Sequence, residues 1–156
     1  MKSIIWSGAI SIEMFRSEVV FLITNSKGYL YDEIENVLKD DLGMNNAAAS
    51  SFSKEIKECL DEEDDILPPG LTLDIPCSLG GRDIFVIFEG TPKTLKDGVI
   101  IHELYHATRH ICRNRGVDDE ETEAYMQEYL YEKFKEQIAC LGKVKKEKKE
   151  KEEKKE

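Results

Sequence analysis

The stretch "GVIIHELYHATRHICRNRG", residues 98–116, holds every histidine of the chain, at positions 102, 106 and 110. His102, Glu103 and His106 form an HExxH pattern. On a helix, positions i and i+4 lie one above the other, so both imidazoles reach one metal ion and Glu103 projects beside them. That set suits zinc. The metal makes a water more acidic, and a neighbouring carboxylate takes its proton as it attacks a carbonyl. His102 and His106 are therefore the expected metal ligands, Zn2+ the expected cofactor and Glu103 the expected general base.

Zinc catalytic sites commonly take three protein ligands and keep one position open. His110 is a poor third. It lies about 12 Å from His102 along a helix axis, at about 1.5 Å rise per residue. Bonds of roughly 2 Å cannot gather both onto one ion. No glycine turns the chain before it, so it is expected behind the ligands, at the cleft rim or on the exposed surface. The next helix offers "DDEETEAYMQEYLYEKF". Glu120 and Glu121 suit a helix N-terminus. Glu123 shares a face with Met126, Leu130, Phe134 and Ile138, the stripe that should pack inward. A carboxylate there needs a partner, and zinc is one. Glu123 is the expected third ligand, with Glu120, one turn away, as the alternative.

Two helices must position these residues. The first is expected over 91–115, with a capping box of Thr94 and Asp97 and a stop at Gly116, and with Arg113 and Arg115 near its C-terminus. Ile100, Leu104, Ala107 and Ile111 fall on positions adjoining the metal face. The second is expected over 118–141, opened by Asp118 and Glu121. Upstream, 3–12 and 17–26 read as strands, and 27–42 and 45–60 as helices ending in Gly43 and an acidic, proline-containing loop. "GLTLDIPCS" alternates Leu71, Leu73 and Ile75 like a half-buried strand, and 84–88 is a further apolar strand. Strands, helices, strands and two helices make an α+β arrangement, a short sheet packed on helices.

The chain is 156 residues with formal charge −10. Residues 143–156 carry +3, leaving −13 on residues 1–142, the expected single domain. An acidic body argues against nucleic acid as a partner. The Lys/Glu-rich segment 143–156 is expected to be disordered or a solvated helix. No apolar run is long enough for a membrane span, and no secretory signal is evident, which points to a cytoplasmic protein. The four cysteines have no CxxC spacing and read as reduced, buried thiols.

HExxH followed by a Glu on the next helix resembles the gluzincin zinc peptidases. The short loop and "ETEAY" are most similar to small members, the ImmA/IrrE-type proteases and compact HExxH proteins of phage and mobile-element genomes. The match covers residues 82–134. It implies a zincin-like fold, peptide-bond hydrolysis and a peptide or protein substrate. It also implies a cleft-edge strand just before the metal helix, here 84–88, with Ile84, Val86 and Phe88 on the substrate strand. The same residues read equally well as a core strand with no ligand role. Gln127 stands where a thermolysin-like pattern has an Asp. Tyr125, Tyr129 and His110 are candidates for stabilising the oxyanion. The acids at 61–65 hint at basic substrates, but composition favours reading them as a solvated loop. Two rival functions remain: a zincin-like metal-binding or interaction protein without turnover, and amide hydrolysis in a small molecule.

Overall fold

The computed structural model describes residues 3–15, 17–62, 66–78 and 80–154, with side chains as far as 141. Most of the acidic stretch 61–65 lies outside the described residues. The architecture is α+β. Strands β1 (Ile5–Ile12), β2 (Ser17–Thr24), β3 (Gly70–Pro76) and β4 (Arg82–Glu89) form one mixed sheet in the order β1-β2-β4-β3. β1 pairs antiparallel with β2, β2 parallel with β4, and β3 antiparallel with β4. Helices α1 (Lys27–Asn36, extended by a π turn at Val37–Asp41) and α2 (Asn46–Asp61) follow β2. Helices α3 (Asp97–Asn114) and α4 (Glu120–Lys154) follow β4.

The sheet is covered on both faces, giving three layers. Val20, Leu22, Phe85 and Ile87 pack on α1 and α2, while Phe21, Ile23, Val86 and Phe88 pack on α3 and α4. This explains why "VVFLI" and "IFVIF" are apolar without alternation: strands buried on both faces read that way. β3 alternates because it is an edge strand. Phe134 of α4 ties the second core together, with its ring 4.9 Å from Phe21 and 5.2 Å from Phe88.

Local signals set the helix starts, sometimes one residue from where the sequence suggests. Ser26 accepts from the Tyr29 amide and Asn45 from the Ala48 amide. Asp119, rather than Asp118, caps α4 by accepting from the Thr122 amide and hydroxyl. Thr94 does not cap α3. Its hydroxyl closes a tight turn with the Thr91 amide at 2.9 Å, and α3 begins after Lys96 without a side-chain cap. Gly116 does end α3, with φ of 67°. The Val117 amide reaches back to the Cys112 carbonyl at 2.8 Å, the bond expected beyond a left-handed terminator. The four cysteines form no disulfide, but only Cys112 is buried and Cys140 is exposed. Among the described residues no helix is long and apolar enough to cross a membrane.

One carboxyl makes stability depend on pH. Burial, aided by the Glu18 carboxylate, pushes Asp83 on β4 up to about 6. The folded chain thus holds this proton where the unfolded chain, near its ordinary value of about 3.9, has released it. The stabilising contribution is complete below the unfolded value and is lost as pH rises through about 6. Asp83→Asn should therefore raise the melting temperature at pH 8, with the gain shrinking towards pH 4. Thermal melts at both pH values check this, and an equal shift at both would refute the burial argument.

Candidate metal centre

Helix α3 is two-faced. Ile100, Leu104, Ala107 and Ile111 are buried against the sheet. His102, Tyr105, His106 and Arg109 occupy the opposite, exposed face. The helical spacing brings His102 Nε2 within 3.2 Å of His106 Nε2, with ring centroids 4.8 Å apart. Two nitrogens bound to one tetrahedral zinc at roughly 2.0–2.1 Å would stand about 3.3 Å apart. The pair therefore suits a single ion with little adjustment.

Glu103 is different in kind. It is only 6% exposed although both histidines of the motif are exposed. Its Oε2 accepts a 2.6 Å hydrogen bond from the Thr72 hydroxyl of β3. Its Oε1 lies 3.9 Å from His102 Nε2. The carboxylate thus has one oxygen tied to the sheet edge and one towards the imidazoles. Pro69, Gly70, Gly98, Val99, His102 and Glu103 line an open cleft of about 410 Å³. A larger cleft of about 570 Å³ lies between the end of β1 and α4. It is mostly apolar and holds neither the histidines nor Glu103, so chemistry rather than size marks the candidate centre.

The remaining expected residues separate into three groups. Glu123, in the first turns of α4, is not gathered with the histidines. Its Oε1 accepts from Arg109 Nη1 at 2.7 Å, and that bond and charge raise the Arg109 pKa. Among the described residues no group of three metal-ligating side chains comes together. The partner that a carboxylate on the inward stripe needs is therefore supplied by Arg109. It sits one turn beyond His106 on the same face, plainly visible in "HATRH". Glu120 is exposed.

His110 points to β3, where its Nδ1 lies 3.6 Å from Asp74 Oδ2. Burial lowers its pKa, with the Asp74 charge opposing. Tyr125 and Tyr129 line the cleft at the end of β1, and the Tyr129 hydroxyl donates to the Ser11 carbonyl at 3.1 Å. They are not beside the imidazoles. The aromatic that is, and that the motif reading passed over, is Tyr105, whose ring centroid is 6.2 Å from His106.

The expected cleft-edge strand requires correction. β4 is an interior strand, paired with β2 on one side and β3 on the other. Ile84, Val86 and Phe88 are at most 2% exposed and belong to the core. With both edges paired over 84–88, that stretch of β4 has no free edge to offer a peptide. The free edge next to α3 belongs to β3. It carries Gly70, Thr72 and Asp74, none of which the motif singled out.

Asp74 joins β3 to the far end of α3. Its carboxylate accepts from Asn114 Nδ2 at 3.0 Å and from Arg82 Nε at 2.9 Å. Chemically, the centre offers two imidazole nitrogens at single-ion spacing and a sheltered carboxylate that can accept a proton. No family model, no curated protein and no solved structure matches this chain.

Proposed function

We propose that the chain is a zinc-dependent peptidase with a zincin-like arrangement, acting on peptide or protein substrates. The observation that carries this reading is the 3.2 Å separation of His102 Nε2 and His106 Nε2 beside the buried carboxylate of Glu103. Zinc would be held by His102 and His106, with Glu123 as third ligand once its carboxylate turns away from Arg109. When bound, the metal supplies a Lewis acid that polarises a carbonyl and acidifies a water.

Glu103 does the proton work. Its Oε1 takes the proton from the attacking water and passes it to the leaving amine. Its burial keeps competing water away, and Thr72 holds the other oxygen. The substrate seat is the free edge of β3. In the antiparallel register with β4, the main-chain groups of Pro69 and Cys77 bond towards the loop side of β4. By alternation, those of Gly70, Thr72 and Asp74 point away from it, although the Asp74 carbonyl already accepts from Arg82 Nη2. A peptide added there as a strand would be held by main-chain hydrogen bonds beside Glu103.

The Arg109–Glu123 pair favours a second reading. If that pair persists when zinc binds, two histidines alone hold the ion, and the protein binds metal without turnover. The test uses the purified chain, zinc content by elemental mass spectrometry and a library of internally quenched peptides. The peptidase reading expects about one zinc per chain and cleavage that a chelator stops and added zinc restores. Zinc without cleavage would favour the second reading. A chain that takes up no zinc would end both.

A further inference from the structure

The geometry points to Thr72 as a positioning residue for Glu103, and to Gly70 as the place on β3 where only hydrogen leaves room for that carboxylate. The inference rests on the peptidase reading above and deepens it. Thr72 Oγ1 is 2.6 Å from Glu103 Oε2 and 3.2 Å from the Glu103 carbonyl oxygen. A hydroxyl has one proton to give, and the shorter, charge-assisted contact takes it. The donation fixes which oxygen of Glu103 faces the sheet and leaves Oε1 for the reacting water.

Gly70 acts through space. A Cβ there would stand 2.5 Å from Glu103 Cγ, 2.9 Å from Cδ and 3.0 Å from Oε1. The glycine is not among those with left-handed φ, so the backbone does not demand it. The close approach of strand to carboxylate does.

Positions 70, 72 and 74 lie on one face of β3, because strand side chains alternate. All three face α3. Gly70 and Thr72 meet Glu103, and Asp74 meets Asn114 and His110. The strand proposed to seat the substrate is therefore the strand that holds the base. A scissile carbonyl registered on the β3 backbone and a carboxylate pinned to the same strand keep a fixed separation, which is what a near-attack geometry requires.

The test compares full-length, zinc-loaded wild type with Thr72→Val, Thr72→Ser and Gly70→Ala. Valine matches threonine in shape but cannot donate, so it keeps the test valid should Gly70→Ala fold poorly. Cleavage of quenched peptides, zinc content and the NOE between Gly70 Hα and Glu103 Hγ are measured. Thr72→Val should lose about 10–100-fold in kcat, the range for outer partners of metal sites, with KM and zinc unchanged. Its NOE should weaken, and Thr72→Ser should restore both kcat and NOE. Gly70→Ala should lose at least as much kcat. A Thr72→Val enzyme with wild-type kcat, or a loss that serine does not rescue, overturns the positioning role while the peptidase reading stands. A zinc-loaded wild type that cleaves nothing overturns both, since Thr72 then has no reaction to serve.

Discussion

Glu103→Gln should lower peptide cleavage by about 10²–10⁴-fold, the usual contribution of a positioned acid–base group, while one zinc per chain stays bound. Glutamine keeps the length and planar end of the side chain. Its amide oxygen can still accept the Thr72 hydroxyl, so the contact that orients the side chain survives. What disappears is the ability to accept a proton through the atom that corresponds to Oε1. The loss is equivalent to about 3–5 kcal/mol of transition-state stabilisation and should fall on kcat rather than KM. Steady-state kinetics beside elemental analysis provide the check. Retained cleavage would remove Glu103 from the chemistry. Lost zinc would mean that the substitution disturbed the histidines, whose nearest ring nitrogen is only 3.9 Å away.

Zinc binding should collapse in His102→Ala and in His106→Ala, and should weaken by at least about 10–100-fold in Glu123→Ala, the least expected from disturbing a metal site. The histidine result follows from geometry, since neither ring alone can reproduce the 3.2 Å pair. The Glu123 result depends on a competition. In the metal-free chain its carboxylate belongs to Arg109. That guanidinium is exposed, so salt and water screen the pair, and such surface pairs contribute little. A zinc ion already held by two imidazoles offers a much stronger partner. The carboxylate should therefore move to the metal. Isothermal titration with zinc on the three variants and on Arg109→Ala separates the possibilities. If affinity survives Glu123→Ala, the carboxylate serves the ion pair alone, and the centre has only its two histidines from this part of the chain.

The sequence by itself determined the local features. The HExxH spacing placed two imidazoles and a carboxylate on one helix, because a helix is a periodic object and needs no tertiary information to align i with i+4. It likewise determined the α3–α4 order, the stop at Gly116 and the inward stripe of Met126, Leu130, Phe134 and Ile138, all of which are buried. Strand order was decided only by the tertiary structure, because pairing is a contact between segments far apart in the chain. Even so, a signal was present. The unbroken apolar run of 84–88 marked an interior strand, and the alternation of Leu71, Leu73 and Ile75 marked an edge. The strand that precedes α3 in the chain is β4, whereas the free edge beside α3 belongs to β3. The partners of the carboxylates were also decided in three dimensions. Thr72 reaches Glu103 across 31 positions, and Arg109 reaches Glu123 across 14. A side chain's chemistry is written in the sequence, but which neighbour satisfies it depends on how the layers pack.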